Sequence, residues 1–551
     1  MAELRKPRHK WIKWVAIGLL TVLIAAAGVV EFALRRVEPF LRTRIVESLQ
    51  IRFHARVELD SFHVSLVNGL WAEGKGLRIW PPSQVEGVTV PAGQGEPLIR
   101  LDEFRFHAPL RYAPGQPIHI SVVELKGLSI HLPPRSHFQH PSPPAGALGV
   151  PAKSKIPIAA LVRFQVEMIE VTGADLVMET NKPGKLPWEF PIARLKLTRL
   201  GADQAMTFDA ELTNPRPRGT IYATGSFGPW QTVDPGESPL AGDFHLDHAD
   251  LASFKGIAGI LDSTGHFQGT LRNLTVDGQT VTPDFRLTHF GNPVALTTRY
   301  YAHVDGTNGD TWLDQVEATL GRSHFNVQGR IVRQPEAVVG GAQQYGGHDI
   351  SLAVNVDKGR IEDFLRLTSH TGNVLLTGDF TMKTALHISP GPLPVHLRLM
   401  LNGEFQLRNA LFTNAKMQKR IAELSLRGQG RPEALKTTDP ATILSGMQSS
   451  FQLAGGVITL PALDFTVPGA TVQFKGVYGL EGGKLDFSGA ARMQAPVSKM
   501  IGGWKGLLLT PADRLLKKDG AATEVPIEIH GTREQPDFTI DLDGMKISGQ
   551  R

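Results

Sequence analysis

Residues 471–490 read TVQFKGVYGLEGGKLDFSGA. Val472 and Phe474 alternate with Thr471, Gln473 and Lys475, and Leu485 and Phe487 alternate with Lys484, Asp486 and Ser488. A period of two places the apolar side chains on one face of an extended strand and the polar ones on the other. Gly476 ends the first run in a turn, and Gly225, Gly269, Gly329, Gly378 and Gly531 end other runs in the same way.

The alternation extends far toward the N-terminus. Phe325 and Val327 alternate with His324, Asn326 and Gln328; Phe285 and Leu287 with Asp284, Arg286 and Thr288; Leu195 and Leu197 with Arg194, Lys196 and Thr198. Ile118, Ile120 and Val122 repeat the theme, as do Phe53, Ala55, Val57 and Leu59. Gly (57) and Pro (38) are used above the ordinary level, which argues for many short elements and against a helical body. Helical pieces are few: residues 359–368, and a face of Val497, Ile501, Trp504 and Leu508 that Pro511 breaks.

The first fifty residues differ. Arg5, Lys6, Arg8, Lys10 and Lys13 precede an uncharged run from Trp14 to Val30, which is long enough to span a bilayer as a helix. The basic cluster predicts a cytoplasmic N-terminus and a body on the far side. A cleaved signal peptide, with Ala25–Ala27 as its small residues, is the rival reading. Val37, Leu41, Ile45 and Leu49 then recur every four residues, a short amphipathic helix near the membrane that either contacts it or packs on the first strands.

The spacing divides the chain into a cytoplasmic tail and anchor (1–35), a helix with first strands (36–132), a Pro-rich loop (133–157), an elongated β body (158–490) and a C-terminal region with a helix and last strands (491–551). An antiparallel sheet buries one face, and that face must meet something. The helices are too few to cover it. The fold expected is therefore mainly β, with one N-terminal transmembrane helix. An elongated, curved antiparallel sheet follows it, forming an apolar groove with few short helices. Its candidate lining is Leu195, Leu197, Phe285, Leu287, Phe325, Val327, Val472, Phe474, Leu485 and Phe487. Acyl chains of phospholipid would cover such a floor, and Val37, Leu41, Ile45 and Leu49 would stand at its membrane-proximal end.

Other chemistry is absent from the pattern. The net charge of +5 lies in the anchor, because residues 1–44 hold nine Lys/Arg against three Glu. The body lacks the basic excess that nucleic acid requires. There are no cysteines, hence no disulfide or thiolate ligand. No phosphate-binding loop, zinc-protease motif or nucleophile elbow occurs. Asp243, His245, Asp247, His248 and Asp250 could supply metal ligands, but residues three apart in a strand face opposite ways. His131, His137 and His140 lie in or beside the Pro-rich loop, without an ordered scaffold. No catalytic pair emerges, so neither an enzyme nor a cofactor is expected.

Near the C-terminus, residues 525–538 read VPIEIHGTREQPDF, a strand followed by Gly-Thr and a Pro-x-Phe turn. Together with residues 471–490 this resembles the C-terminal region of the AsmA-like superfamily, which includes the TamB-like proteins. The N-terminal arrangement of anchor, short helix and strands beginning at Val57-Glu58-Leu59-Asp60 is similar to that family as well. The resemblance implies a single-pass bacterial inner-membrane protein with a periplasmic body linked to outer-membrane biogenesis. It implies an architecture similar to bridge-like lipid-transfer proteins, with phospholipid, the inner membrane and envelope proteins as partners. The alternative is a non-transporting periplasmic scaffold or regulator of envelope assembly, its sheet closed over its own core.

Overall fold

The computed structural model describes residues 38–50 in part, 56–65, 70–80, 97–108, 118–132, 164–178, 188–200, 204–229 and 231. It further describes 235–501 apart from 255, 289–291, 335, 340–341 and 370–373, then 523–532, 536–542 and 545–548. The expected anchor, residues 1–35, and the Pro-rich stretch lie outside the described residues. Among the described residues no helix is long and apolar enough to cross a membrane. The chain forms two compact units, residues 1–215 with 220–230, and residues 216–219 with 231–551.

The first unit contains β1 (Val57–Ser65), β2 (Leu70–Ile79), β3 (Ile99–Ala108), β4 (Ile118–Leu132), β5 (Phe164–Met178), β6 (Trp188–Thr198) and β7 (Met206–Pro215). β8 (Arg218–Phe227) straddles the division. β1 to β4 pair antiparallel in sequence order, and so do β5 to β7. β4 and β5 are parallel, with Val123 beside Ile169 and Leu125 beside Val171. The expectation of a wholly antiparallel sheet fails at this junction. Parallel neighbours need a crossover of a dozen or more residues, and residues 133–163 supply it.

Val57, Leu59, Phe62, Ala72, Leu77, Ile79, Leu101 and Phe104 form the buried core of this unit. Ile45 and Leu49 pack against it, together with Val46. Val37 and Leu41 of the same predicted stripe lie outside the described residues. The helical residues Ile45, Val46 and Leu49 thus contribute to the core beside β1. Arg42 Nε donates to the Leu59 carbonyl at 3.1 Å, and the Val64 N–H donates to Glu38 Oε1 at 2.9 Å. Side chains therefore occupy backbone groups of an edge strand that would otherwise invite another chain.

The second unit contains β9 (Pro239–Asp250), β10 (Ile257–Ala258), β11 (Ile260–Thr270), β12 (Asn273–Thr282), β13 (Arg286–Leu287), β14 (Leu296–Asp305), β15 (Asp310–Leu320) and β16 (Ser323–Gln334). It continues through β17 (Ala337–Val339), β18 (Ala342–Gln344), β19 (Gly347–Arg360), β20 (Leu376–Ile388), β21 (Leu399–Phe412) and β22 (Ser445–Ala454). β23 (Val457–Val467), β24 (Ala470–Gly479), β25 (Lys484–Met493), β26 (Thr523–Thr532), β27 (Pro536–Leu542) and β28 (Met545–Ser548) complete it. The short strands pair with each other, β10 with β13 and β17 with β18. The rest form one antiparallel ladder in which each strand pairs with the next, from β9 to β28. Tight turns allow this order. Gly455 and Gly456, at φ of +57° and +77°, link β22 to β23 with the two left-handed residues that a type I′ turn needs.

Among the described residues of the second unit the α-helices lie between strands: α1 (Ile361–Leu367), α2 (Val395–Arg398), α3 (Ala415–Gly428) and α4 (Val497–Ile501). α1 falls within the segment predicted from sequence. α3 starts at Asn414, whose Oδ1 accepts the N–H groups of Lys416 and Met417 at 2.9 and 3.1 Å. Its buried side carries Gln418, Ala422, Ser425 and Leu426, at helical spacing. For the predicted Val497–Leu508 face, α4 accounts for Val497 and Ile501, while Trp504 and Leu508 lie outside the described residues.

Candidate functional site

Side chains opposite one another across an antiparallel pair share a face, so the registers trace each row of the second unit. One row starts at Phe325 on β16. It passes through Val356, Met382, Phe405, Ser449 and Leu463 to Phe474 on β24. A second joins Val327, Val354, Thr384, Gly403 and Phe451. A third joins Leu352, Leu386, Leu401, Leu453, Ile458, Tyr478 and Leu485. Val472 faces Phe465 and Ala491, and Phe487 faces Gly476 and Ile529. The sequence-predicted residues Phe325, Val327, Val472, Phe474, Leu485 and Phe487 thus fall on one face of one ladder.

The alternate positions are mostly polar, with Trp312 and Met400 as exposed exceptions toward one end of the strands. Arg299, Glu317, Asn326, Asn355, Lys383 and Glu404 are paired across successive strands from β14 to β21. Opposite charges in such a row are compatible neighbours in water. The two faces therefore differ sharply in the solvent each prefers.

Helices seal one end of the apolar rows. The Phe364 ring of α1 lies 6.3 Å from that of Phe325 and 5.3 Å from that of Phe380. Ile361 and Phe364 pack on the buried cluster of Val356, Phe380, Leu407 and Ala410. Ile421 and Leu424 of α3 pack on Phe465, Val467, Ala470, Val472 and Ala491. Farther along the strands Leu352, Leu386 and Leu401 are only half-buried. A concavity of about 790 Å³ there is lined mainly from the opposite face, by Trp312, Gln328, Arg330, His387, Met400 and Asn402.

Two acids hold α1 in place. The Glu362 carboxylate is 3% exposed, with Arg322 at 2.6 Å and Arg360 at 3.0 Å, and it accepts the Gly378 N–H at 3.2 Å. Burial pushes this carboxyl up, but hydrogen bonds from its own backbone, Arg360 and Gly378 outweigh burial and hold it below the ordinary range. Asp363 accepts the Arg322 N–H at 2.9 Å and the Ser323 hydroxyl at 2.8 Å. Sequence reading missed both residues, because acids in a first helical turn ordinarily face water.

Nearer β9 the same face turns polar. Thr280 and Thr298 share a hydrogen bond of 2.7 Å, and the Ser263 hydroxyl donates to the Gln279 carbonyl at 3.0 Å. Tyr300 lies over Gly278, and burial raises its phenol above the ordinary value against a weak contact with Ser263.

The remaining predicted lining residues lie elsewhere. Phe285 and Leu287 are outside the long ladder: Phe285 precedes the two-residue strand β13, and both pack on Val294, Leu320 and Leu367. Local alternation over 284–288 does not extend into a long strand there, because a turn at Pro283 and Asp284 sets the backbone. Leu195 and Leu197 lie on the apolar face of the first unit, opposite Val171 and Ile169 on one side and Ala210 and Phe208 on the other.

The His/Asp stretch of β9 is occupied by pairs. His245 contacts Asp247, Asp243 contacts His266, and Asp250 caps the next turn through Ala252 N–H at 2.9 Å. His248 has a left-handed backbone, and its N–H donates to Asp262 at 2.8 Å. Among the described residues no three His, Asp or Glu side chains group as metal ligands. His137 and His140 lie outside the described residues. No protein-family model, curated protein or solved structure matches the chain.

Proposed function

We propose that the apolar rows of the second unit hold phospholipid acyl chains, and that the chain is an AsmA-like, inner-membrane-anchored protein with its body in the periplasm. In this reading it supports lipid transport or outer-membrane biogenesis without covalent chemistry. The observation that carries it is the continuation of the apolar rows past the helices, where Val327 and Val354, then Leu352, Leu386 and Leu401, are half-buried. Each acyl CH₂ kept from water there would contribute about 0.8 kcal/mol, so a chain of ordinary length gains more than it loses in freedom. Head groups would stay at the strand ends, in water.

The sealed band of Val356, Phe380 and Leu407 favours a second role for part of this face, as a closed scaffold. Mass spectrometry of lipid extracted from the purified full chain separates the two. The conduit reading expects phospholipid in the unmodified protein and its loss in Val327→Asp, with the fold retained. Protein free of lipid, or a Val327→Asp chain that simply unfolds, would support the closed core instead.

A further inference from the structure

α3 has a second face that the apolar rows do not use. Lys416, Lys419 and Arg420 stand at i, i+3 and i+4 on its exposed side. None of the three has an ion pair or side-chain hydrogen bond among the described residues. Met417, one residue from this stripe, is 42% exposed.

Two further apolar side chains stand beside the same turn. Leu375 is 67% exposed, and its carbonyl accepts the Thr413 N–H at 3.0 Å, just before the Asn414 cap. Leu444 is 42% exposed and follows Ile443, whose carbonyl accepts the Gln418 side chain at 2.8 Å. Three exposed apolar side chains thus stand near the N-terminal turn of α3, whose outer side carries three cations against the single acid Glu423. Water alone accounts for the cations but not for Leu375, Met417 and Leu444. A soluble polyanion would satisfy the charge and leave the apolar tips without a partner. A bilayer surface of anionic lipid supplies both, phosphates for the cations and the acyl boundary for the tips.

We infer that the outer side of α3, with Leu375 and Leu444, docks on an anionic lipid surface. This contact does not depend on what occupies the apolar rows, which α3 faces with its other side.

The chain contains no cysteine, so a single label can report on one position. The full chain is held in nanodiscs of neutral lipid, with an environment-sensitive dye at Met417→Cys or, as control, at Leu393→Cys, which is 56% exposed. Vesicles of phosphatidylglycerol should shift the Met417→Cys emission to the blue, and vesicles of phosphatidylcholine should not. The Leu393→Cys label should stay unchanged. Lys419→Gln with Arg420→Gln should weaken the apparent affinity about 25-fold, at roughly fivefold per cation. High salt should release the unmodified chain, a result that needs no mutation. The inference is overturned by no shift at Met417→Cys, by an equal shift at Leu393→Cys or with neutral vesicles, or by a shift that polyaspartate reproduces without lipid.

Discussion

Phe487 on β25 faces Gly476 on β24, and a Cβ on Gly476 would stand 2.5 Å from the ring's Cδ1 and 2.7 Å from Phe487 Cα. The Asp486 carbonyl oxygen, closer still to the same point, closes the space with the ring, so backbone as well as side chain excludes a Cβ there. Tyr300 covers Gly278 in the same way, with its hydroxyl 2.8 Å from where a Cβ would be. Large residues beside glycine keep these rows low, so the apolar face offers surface rather than interlocking knobs. Gly476→Val should destabilise the second unit by about 1–3 kcal/mol through overpacking. Denaturant unfolding of the full chain checks this, and an unchanged midpoint would contradict the close approach of β24 and β25 at Gly476.

Glu362 ties α1 to two arginines and to the Gly378 N–H. Its partners Arg322 and Arg360 are partly exposed, so their loss of a counterion is screened. The Gly378 N–H would be left buried and unbonded in Glu362→Ala, at about 1–3 kcal/mol. Glu362→Gln keeps an acceptor for that N–H and should lose less. Thermal unfolding of the two variants should rank them in that order.

The folded Glu362 carboxyl lies below its ordinary value, as do Asp379, Asp284 and Glu73. Asparagine and arginine partners act on Asp379, and the Ile260 N–H acts first on Asp284. Unfolding raises each of these groups, so the unfolded chain takes up protons first. Their stabilisation is present above the ordinary carboxyl range, near pH 4, and falls away as pH drops through the folded values. Stability measured from pH 7 to pH 3 should decline on the acid side, and Glu362→Gln should flatten part of that decline.

Arg42 and Glu38 occupy backbone groups of the edge strand β1. Replacing both with alanine should reduce stability by about 1–3 kcal/mol, at roughly 1 kcal/mol for each hydrogen bond lost. It should also expose an edge that pairs with other chains. Light scattering against concentration should show association of the double variant where the unmodified chain stays dispersed.

The face of each long strand was legible because its cause is local. His324-Phe325-Asn326-Val327-Gln328 carries its own period, and the observed exposure follows that period residue by residue. Phe285 and Leu287 show the same local pattern, yet a turn and a two-residue pairing with Ile257 and Ala258 decide their place. The parallel alignment of Leu125 with Val171 had no local sign either, since a long connection separates the partners. Glu362 and Asp363 read as ordinary solvated helix acids, and only the fold brings Gly378, Arg322 and Ser323 to them. The half-buried state of Leu352, Leu386 and Leu401 depends on where α1 and α3 end, which periodicity does not encode.

Photo-crosslinking in cells, residue by residue along β16 and β24, tests the central claim most directly. A photoreactive residue at Val327, Phe474 or Tyr478, which stay half-buried, should capture phospholipid, and one at Asn326, Gln328, Gln473 or Lys475 should not. Lipid capture would then alternate with the period of the strand itself. Capture absent from both sets, or equal in both, would contradict an acyl-chain site on the apolar face.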